Sequence, residues 1–302
     1  NEAGIVFRKD KTFLLDWMQV YMEAQESAGK KDGSQIKIAM RILKDYAGEM
    51  VTLDQIDGDF CRGYITYLLT EYHPKGKDIS NYTLHNYYRA LNGALNSAVR
   101  KKKMKANPFN ELEKSEKIRK PESMRSYMTI EEVQALIDTP MPHEEYEIVK
   151  CAYLFSCFCG LRISDIIKLK WSDVFVDRGQ YRLAVSMKKT KEPIYLPLSP
   201  EALKWMPERG GKSSEDNVFD LPSANTIRMQ LKPWAKAAGI SKRFSYHTSR
   251  HTFATMMLTL GADLYTVSKL LGHADVKMTQ VYAKIINKKK DEAVNLVNGL
   301  FH

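Results

Sequence analysis

Four short segments in the second half of the chain carry residue types suited to gripping a phosphodiester. In Gly160-Leu161-Arg162-Ile163-Ser164-Asp165 the arginine follows a glycine break, and Asp165 lies three residues on, within reach on one helical face. A carboxylate beside a guanidinium fixes its fork, and that fork matches two phosphate oxygens. In His247-Thr248-Ser249-Arg250 an imidazole and a guanidinium share a helix face, a pairing that favours an anion between them. An apolar stripe of Leu264, Val267, Leu270 and Leu271 is stopped by Gly272, which presents His273 at a helix end. Tyr282 follows nine residues later. Each segment alone also reads as an ordinary feature: a surface ion pair, a capping histidine, a histidine on helix carbonyls, one packing tyrosine among 16. Their common order and spacing are hard to obtain by accident.

Competing motifs fall short. Gly210-Gly211-Lys212-Ser213 resembles the end of a phosphate loop, but the first glycine of that motif would have to stand where Met206 is. His247 and His251 have the spacing of zinc ligands, yet Thr-Ser-Arg lies between them with no carboxylate, and a guanidinium opposes a divalent cation. No metal site is expected. Cys61, Cys151, Cys157 and Cys159 are too few and too uneven for a disulfide scaffold, and Cys157 and Cys159 read as reduced core thiols.

The elements that must hold these segments can be traced from patterning. The 302 residues suggest two domains, and 44% hydrophobic with 27% charged residues excludes a disordered tail. Residues 1–106 are expected to form a small helical domain. Its helices run over about 11–26 and 34–47, with a shorter one after Thr52, which has Gln55 in capping-box spacing. A longer one starts at Ser80 and is marked by Leu84, Tyr88, Leu91, Leu95 and Ala98. Residues 107–126, charged and containing Pro121, read as a linker. A second domain, 127–302, opens at Thr129 with Glu132 in capping-box spacing. It includes an apolar helix ending at Gly160, then strands at 174–176, 181–187 and 193–198 with a hairpin loop at 188–192, then helices from about 223. A tail helix carries Val294, Leu296, Val297, Leu300 and Phe301 after Lys288–Lys290, and could dock on a neighbouring copy or fold back. The fold class is mainly α with a small antiparallel sheet.

Charge is unevenly placed. The net charge is +10, of which residues 1–99 contribute −1 and the six residues 100–105 contribute +5. Arg100, Lys101, Lys102, Lys103 and Lys105 thus form a patch able to meet phosphates, or a solvated helix end favoured by the dipole. No run of 18 apolar residues suggests a membrane span, and the N-terminus shows no basic-then-apolar signal pattern, so a cytoplasmic protein is expected.

In G-L-R-x-S-D, H-x-x-R, L-G-H and the tyrosine nine residues beyond, spanning about 128–285, the sequence resembles the tyrosine recombinases, the phage-type integrases and Xer-like enzymes. The preceding helical domain resembles the family's core-binding domain more loosely, and Phe-Cys-Gly-Leu-Arg-Ile-Ser-Asp looks like integrases of bacterial mobile elements. Family members often carry Leu where Ser249 stands, a packing position. Starting at Asn1 rather than at a methionine leaves room for the N-terminal arm-binding domain that many such integrases carry.

The resemblance implies a two-domain DNA clamp and assigns roles. Tyr282 is the nucleophile, leaving a 3′-phosphotyrosine and a free 5′-hydroxyl. A phenol with a pKa near 10 needs help, and His247 is placed to take or share its proton. Arg162 and Arg250 bind the non-bridging oxygens, His273 adds a hydrogen bond, and Asp165 orients the network. A hairpin lysine protonates the leaving oxygen: the family's lysine-to-proline spacing, counted back from Pro197, selects Lys189 over Lys188, and strand alternation puts Lys189 in phase with Tyr181, Leu183 and Val185. No nucleotide or metal cofactor is implied, since the phosphotyrosine keeps the energy of the bond.

The implied partners are specific double-stranded DNA sites, three further copies in a tetramer passing through a Holliday junction, and accessory DNA-bending proteins. The basic patch and the 188–191 loop, with Lys188 and Lys191, are expected to touch phosphates, which fix register rather than sequence. Integration or excision of a mobile element is the expected role. Inversion, resolution, relaxation of the type IB topoisomerase kind and non-catalytic DNA binding are the alternatives.

Overall fold

Residues 11–30, 32–121, 125–186 and 193–283 are described by the computed structural model of the chain. They belong to two units, Asn1–Ser123 and Met124–His302. The expected hairpin loop with Lys188, Lys189 and Lys191, and the expected tail helix, lie outside the described residues.

The first unit is helical. Its helices α1 (Leu14–Ser27), α2 (Gly33–Ala47), α3 (Gly58–Thr70) and α4 (Asn81–Arg100) share one core. Helix α4 starts where Ser80 caps it: the Ser80 hydroxyl accepts from the Thr83 N–H, satisfying a donor the helix itself cannot. Leu84, Tyr88, Leu91, Leu95 and Ala98 form its buried stripe, and the Trp17 indole donates to the Ala94 carbonyl at 2.8 Å, tying α1 to α4. The capping box at Thr52 and Gln55 is present, but it closes a single 3₁₀ turn, Leu53–Gln55. The helix expected there begins instead at Gly58, where Asp57 accepts from the Phe60 N–H. Phe109, Leu112 and Ile118, from the segment read as a linker, are buried in this core.

In the second unit, Thr129 and Glu132 form a capping box that opens α5 (Ile130–Asp138). Helix α6 (Glu147–Cys159) is buried almost all round and ends at Gly160, whose φ of +75° is left-handed. A Cβ there would come within 2.6 Å of the Phe253 ring, so both the turn and the packing call for glycine. A short helix α7 (Ile163–Ile166) precedes three antiparallel strands, β1 (Val174–Asp177), β2 (Gln180–Ser186) and β3 (Pro193–Pro197), in the order β1-β2-β3. Leu183 pairs with Val174 and Leu196, and Leu183, Val185 and Leu196 are buried. Tyr181, expected on the same face, is exposed beside the β1-β2 turn, so the alternation holds only in the strand's middle. The chain continues through α8 (Pro200–Leu203), α9 (Ala224–Ala237), α10 (Tyr246–Thr259), α11 (Leu264–Leu270) and α12 (Lys277–Ala283). No helix among the described residues is long and apolar enough to cross a membrane.

Candidate active site

Helix α10 is the platform. Three hydroxyl contacts tie its first turns to α6: Tyr153 with Thr248 at 2.8 Å, Ser156 with Tyr246 at 3.0 Å, and Tyr246 donating to the Ala152 carbonyl at 2.6 Å. Buried polar groups matched in this way fix one arrangement, because slipping the helix would leave them unpaired. Ser249 is fully buried and donates to the Tyr246 carbonyl, in keeping with a packing position. His247, Arg250 and His251 therefore project from a rigid helix end.

Arg250 is 3% exposed. Its Nη1 donates to the Gly160 carbonyl at 2.6 Å and its Nη2 to the Leu271 carbonyl. These carbonyls stand at the C-terminal ends of α6 and α11, where the helix dipoles favour a cation. Burial, then the Arg162 charge, lower Arg250 to about 10, so it stays charged at neutral pH.

Arg162 sits at the N-cap of α7. Its backbone N–H donates to Asp165 Oδ2 at 3.3 Å, and its Nη1 is 4.0 Å from the same oxygen. The expected Arg162–Asp165 pairing is thus a capping arrangement in which the aspartate holds the arginine's backbone and side chain together.

His273 follows Gly272, whose φ is +58°. Its Nδ1 lies 2.7 Å from the Thr279 hydroxyl, which anchors the ring to α12. Burial, followed by Arg250, Arg162, Arg125 and His247, brings His273 down to about 4. His247 is the exposed member of the group. Even so, loss of water around its ring, then Arg250, Arg125 and Arg162, hold it below the usual imidazole range. Each of these histidines thus feels the same cationic cluster.

Tyr282 is 1% exposed and packs in a small apolar cluster with Phe253, Leu258, Val267 and Leu271. Its hydroxyl accepts from Arg125 Nη1 at 2.9 Å, and the Arg125 guanidinium lies 5.4 Å from the ring centre. The imidazole bonded to the hydroxyl is His251, with Nδ1 2.5 Å away. His247 stands behind it, edge-on to His251 at 4.5 Å between ring centres.

Arg162, Asp165, His247, Arg250, His273 and Tyr282 are thus brought around one position by α6, α7, α10, α11 and α12. Two residues at this position are not evident from the sequence. His251 has only its metal-like spacing to His247 as a signal. Arg125 lies in a stretch whose composition suggests a linker, although the Met128 N–H donates to Thr252 at 2.9 Å and Lys242 to the Tyr127 carbonyl at 2.7 Å, fixing that segment against α10 and the loop before it. The cysteines are free, and burial pushes the Cys159 thiol up to about 12, a core thiol rather than a reactive one.

The same arrangement has relatives. Residues 126–289 match the family model of the phage integrase family, and residues 13–119 match that of the phage integrase SAM-like domain. The chain belongs to the phage integrase family. It is a tyrosine recombinase, as the sequence resemblance implies.

Among curated relatives, a tyrosine recombinase of Pseudothermotoga lettingae is 29% identical over 242 residues, covering 72% of this chain and 82% of that protein. XerD of Halalkalibacterium halodurans is 34% identical over 169 residues, and the match spans 56% of its length and 52% of this chain. The fold is shared with the Tn1549 transposon integrase in complex with transposon right end DNA (TM-score 0.70, 17% identity, 96% of this chain and 100% of that one). A lambda integrase tetramer bound to a Holliday junction also shares it (TM-score 0.67, 21% identity, 91% and 78%).

Proposed function

We propose that the protein cleaves and rejoins specific double-stranded DNA sites through a 3′-phosphotyrosyl bond at Tyr282, in the integration or excision of a mobile element. The observation that carries this reading is the convergence of Arg162, His247, Arg250 and His273, from separate stretches of sequence, beside Tyr282. A phosphate placed among them meets two guanidinium groups able to bind its non-bridging oxygens as charge grows in the transition state. Asp165 sets the Arg162 fork. His273, anchored by Thr279, adds a donor, and His247 contributes a second imidazole at the exposed side. Lys189 delivers the proton to the leaving 5′-oxygen.

In this account the helical first unit grips the duplex with Arg100, Lys101, Lys102, Lys103 and Lys105 on phosphates, while Lys188 and Lys191 do so from the second unit. Four copies act together through a Holliday junction, in the bacterial cytoplasm, with accessory DNA-bending proteins completing the assembly. The structures that share this fold at a TM-score of 0.70 and 0.67 include a transposon-end complex and a Holliday-junction tetramer, which supports the reading.

The test is a supercoiled plasmid carrying two copies of the DNA that flanks the gene. Wild-type protein is expected to exchange the two sites, and Tyr282→Phe to leave them untouched. Relaxation with no exchange would instead assign the chain to the relaxing class, and binding with no strand breakage would make it a DNA-binding protein only.

A further inference from the structure

Among the described residues, the phenol of Tyr282 has two hydrogen-bond partners with different capacities. A guanidinium has five N–H donors and no acceptor, so Arg125 can only donate to the phenol oxygen. In a position 1% exposed the phenol's own proton needs an acceptor, and the group in place is Nδ1 of His251 at 2.5 Å. The O–H bond therefore points at that nitrogen. A general base must lie within hydrogen-bond reach of the atom whose proton it takes, and His251 Nδ1 does so in the free chain.

We propose that His251, rather than His247, is the general base that removes the Tyr282 proton during cleavage, an assignment that rests on Tyr282 being the nucleophile. The Tyr282 O–H bond breaks and an N–H bond forms at His251 Nδ1. The phenolate oxygen bonds to phosphorus as the bond from phosphorus to the 5′-oxygen breaks, and that oxygen leaves with a proton from Lys189. Religation runs the same transfers backwards, the His251 imidazolium returning its proton to the departing phenol.

The surroundings add a condition. Facing His251 are His247 and Arg250 on its own helix, Arg125 ahead of α5, His273 after α11, and Tyr282 on α12. Burial first, then His247, Arg125, Arg250 and His273, bring the His251 imidazole down to about 3. The ring is therefore unprotonated at neutral pH and ready to accept, yet it is a weak base while the cations around it are uncompensated. A scissile phosphate brings a negative charge to those same cations and offsets their field, which raises the affinity of Nδ1 for a proton. The base thus becomes competent when the substrate phosphate is seated.

His251→Asn tests this, because the amide oxygen can stand near the Nδ1 position and accept the phenol's hydrogen bond but cannot carry its proton away. On nicked suicide duplexes made from the gene's flanking DNA, single-turnover cleavage by His251→Asn is expected to fall about 10²–10³-fold with DNA affinity within about twofold. Wild-type cleavage is expected to decline on the acid side, His251→Asn to lose that decline and His247→Asn to keep it. A fluorotyrosine installed at position 282, whose phenol ionises more easily, should speed His251→Asn more than wild type. Thermal melting confirms that each variant is folded. Wild-type cleavage by His251→Asn would reduce His251 to a positioning role, and faster cleavage would make it a latch; either overturns the proposal. Transfer of the acid-side decline to His247 would overturn it too. An adduct formed by Tyr282→Phe would instead refute the nucleophile assignment itself.

Discussion

The Arg250 guanidinium donates to the Gly160 carbonyl at 2.6 Å, joining the residue that would meet the phosphate to the end of the buried helix α6. Burial of this arginine would be costly without such partners, because a desolvated charge is tolerated only when its donors are used. The two carbonyls also fix the plane of the fork. Position, not charge alone, is what the fold supplies at this residue.

Arg250→Lys keeps the charge and loses that geometry, since one ammonium cannot span the Gly160 and Leu271 carbonyls and still present a fork. Cleavage is expected to fall about 10²–10³-fold while the DNA-binding affinity changes far less. Single-turnover cleavage and a filter-binding titration on the same duplex separate the two effects. Equal losses in both would mean that Arg250 only binds DNA.

Gly160→Ala probes the turn beneath the site. The left-handed φ of +75° costs a non-glycine residue about 1–2 kcal/mol. The added methyl would also press on Phe253 and Leu271, an overpacking worth about 1–3 kcal/mol more. Urea unfolding of the second unit should report a loss of about 2–5 kcal/mol, and a neutral result would remove the packing argument.

These two positions also show where sequence reading succeeds and where it stops. Ser80, Thr129 and Gly160 are legible because a cap or a left-handed turn is decided by residues three or four apart. The motif residues are recognisable by their order along the chain. His251 is not, because its partner lies 31 residues away and its nearest cue is a spacing associated with zinc. Arg125 sits 157 residues from the hydroxyl it bonds, and no local pattern connects them. Phe109, Leu112 and Ile118 are hidden among charges, since three apolar side chains without a period do not announce a core.

His251 and His273 should also mark the pH dependence of stability. Both are held below an ordinary imidazole when folded, to about 3 and about 4, against about 6.5 in the unfolded chain. Between those values the unfolded chain binds more protons, so stability present above about pH 6.5 is lost as the pH falls toward 4. Urea midpoints from pH 7 to 4.5 should therefore decline more steeply for wild type than for His251→Asn, which has no ring to protonate. Identical slopes would show that His251 is not held in its neutral form.

The basic patch makes a prediction of a different kind. Arg100, Lys101, Lys102, Lys103 and Lys105 are exposed where α4 ends, and Lys102 takes a φ of 57° as the Lys103 N–H closes on the Ala98 carbonyl. Replacing Lys101 and Lys103 by Ala should lower the slope of log affinity against log salt by about 0.9 for each DNA phosphate that is no longer neutralised. Lys102→Gly should raise the stability of the first unit by about 1 kcal/mol, because glycine adopts that turn freely, while still weakening DNA binding. An unchanged salt slope would place the patch away from the duplex.

The most direct measurement is the chemical identity of the trapped adduct. Suicide duplexes from the gene's flanking DNA, incubated with the protein, denatured and digested with trypsin, should yield one DNA-linked peptide, residues 278–284, with the phosphoryl group on Tyr282. Attachment at any other residue, or no denaturant-stable product from a duplex that the protein binds and cuts, would contradict the account.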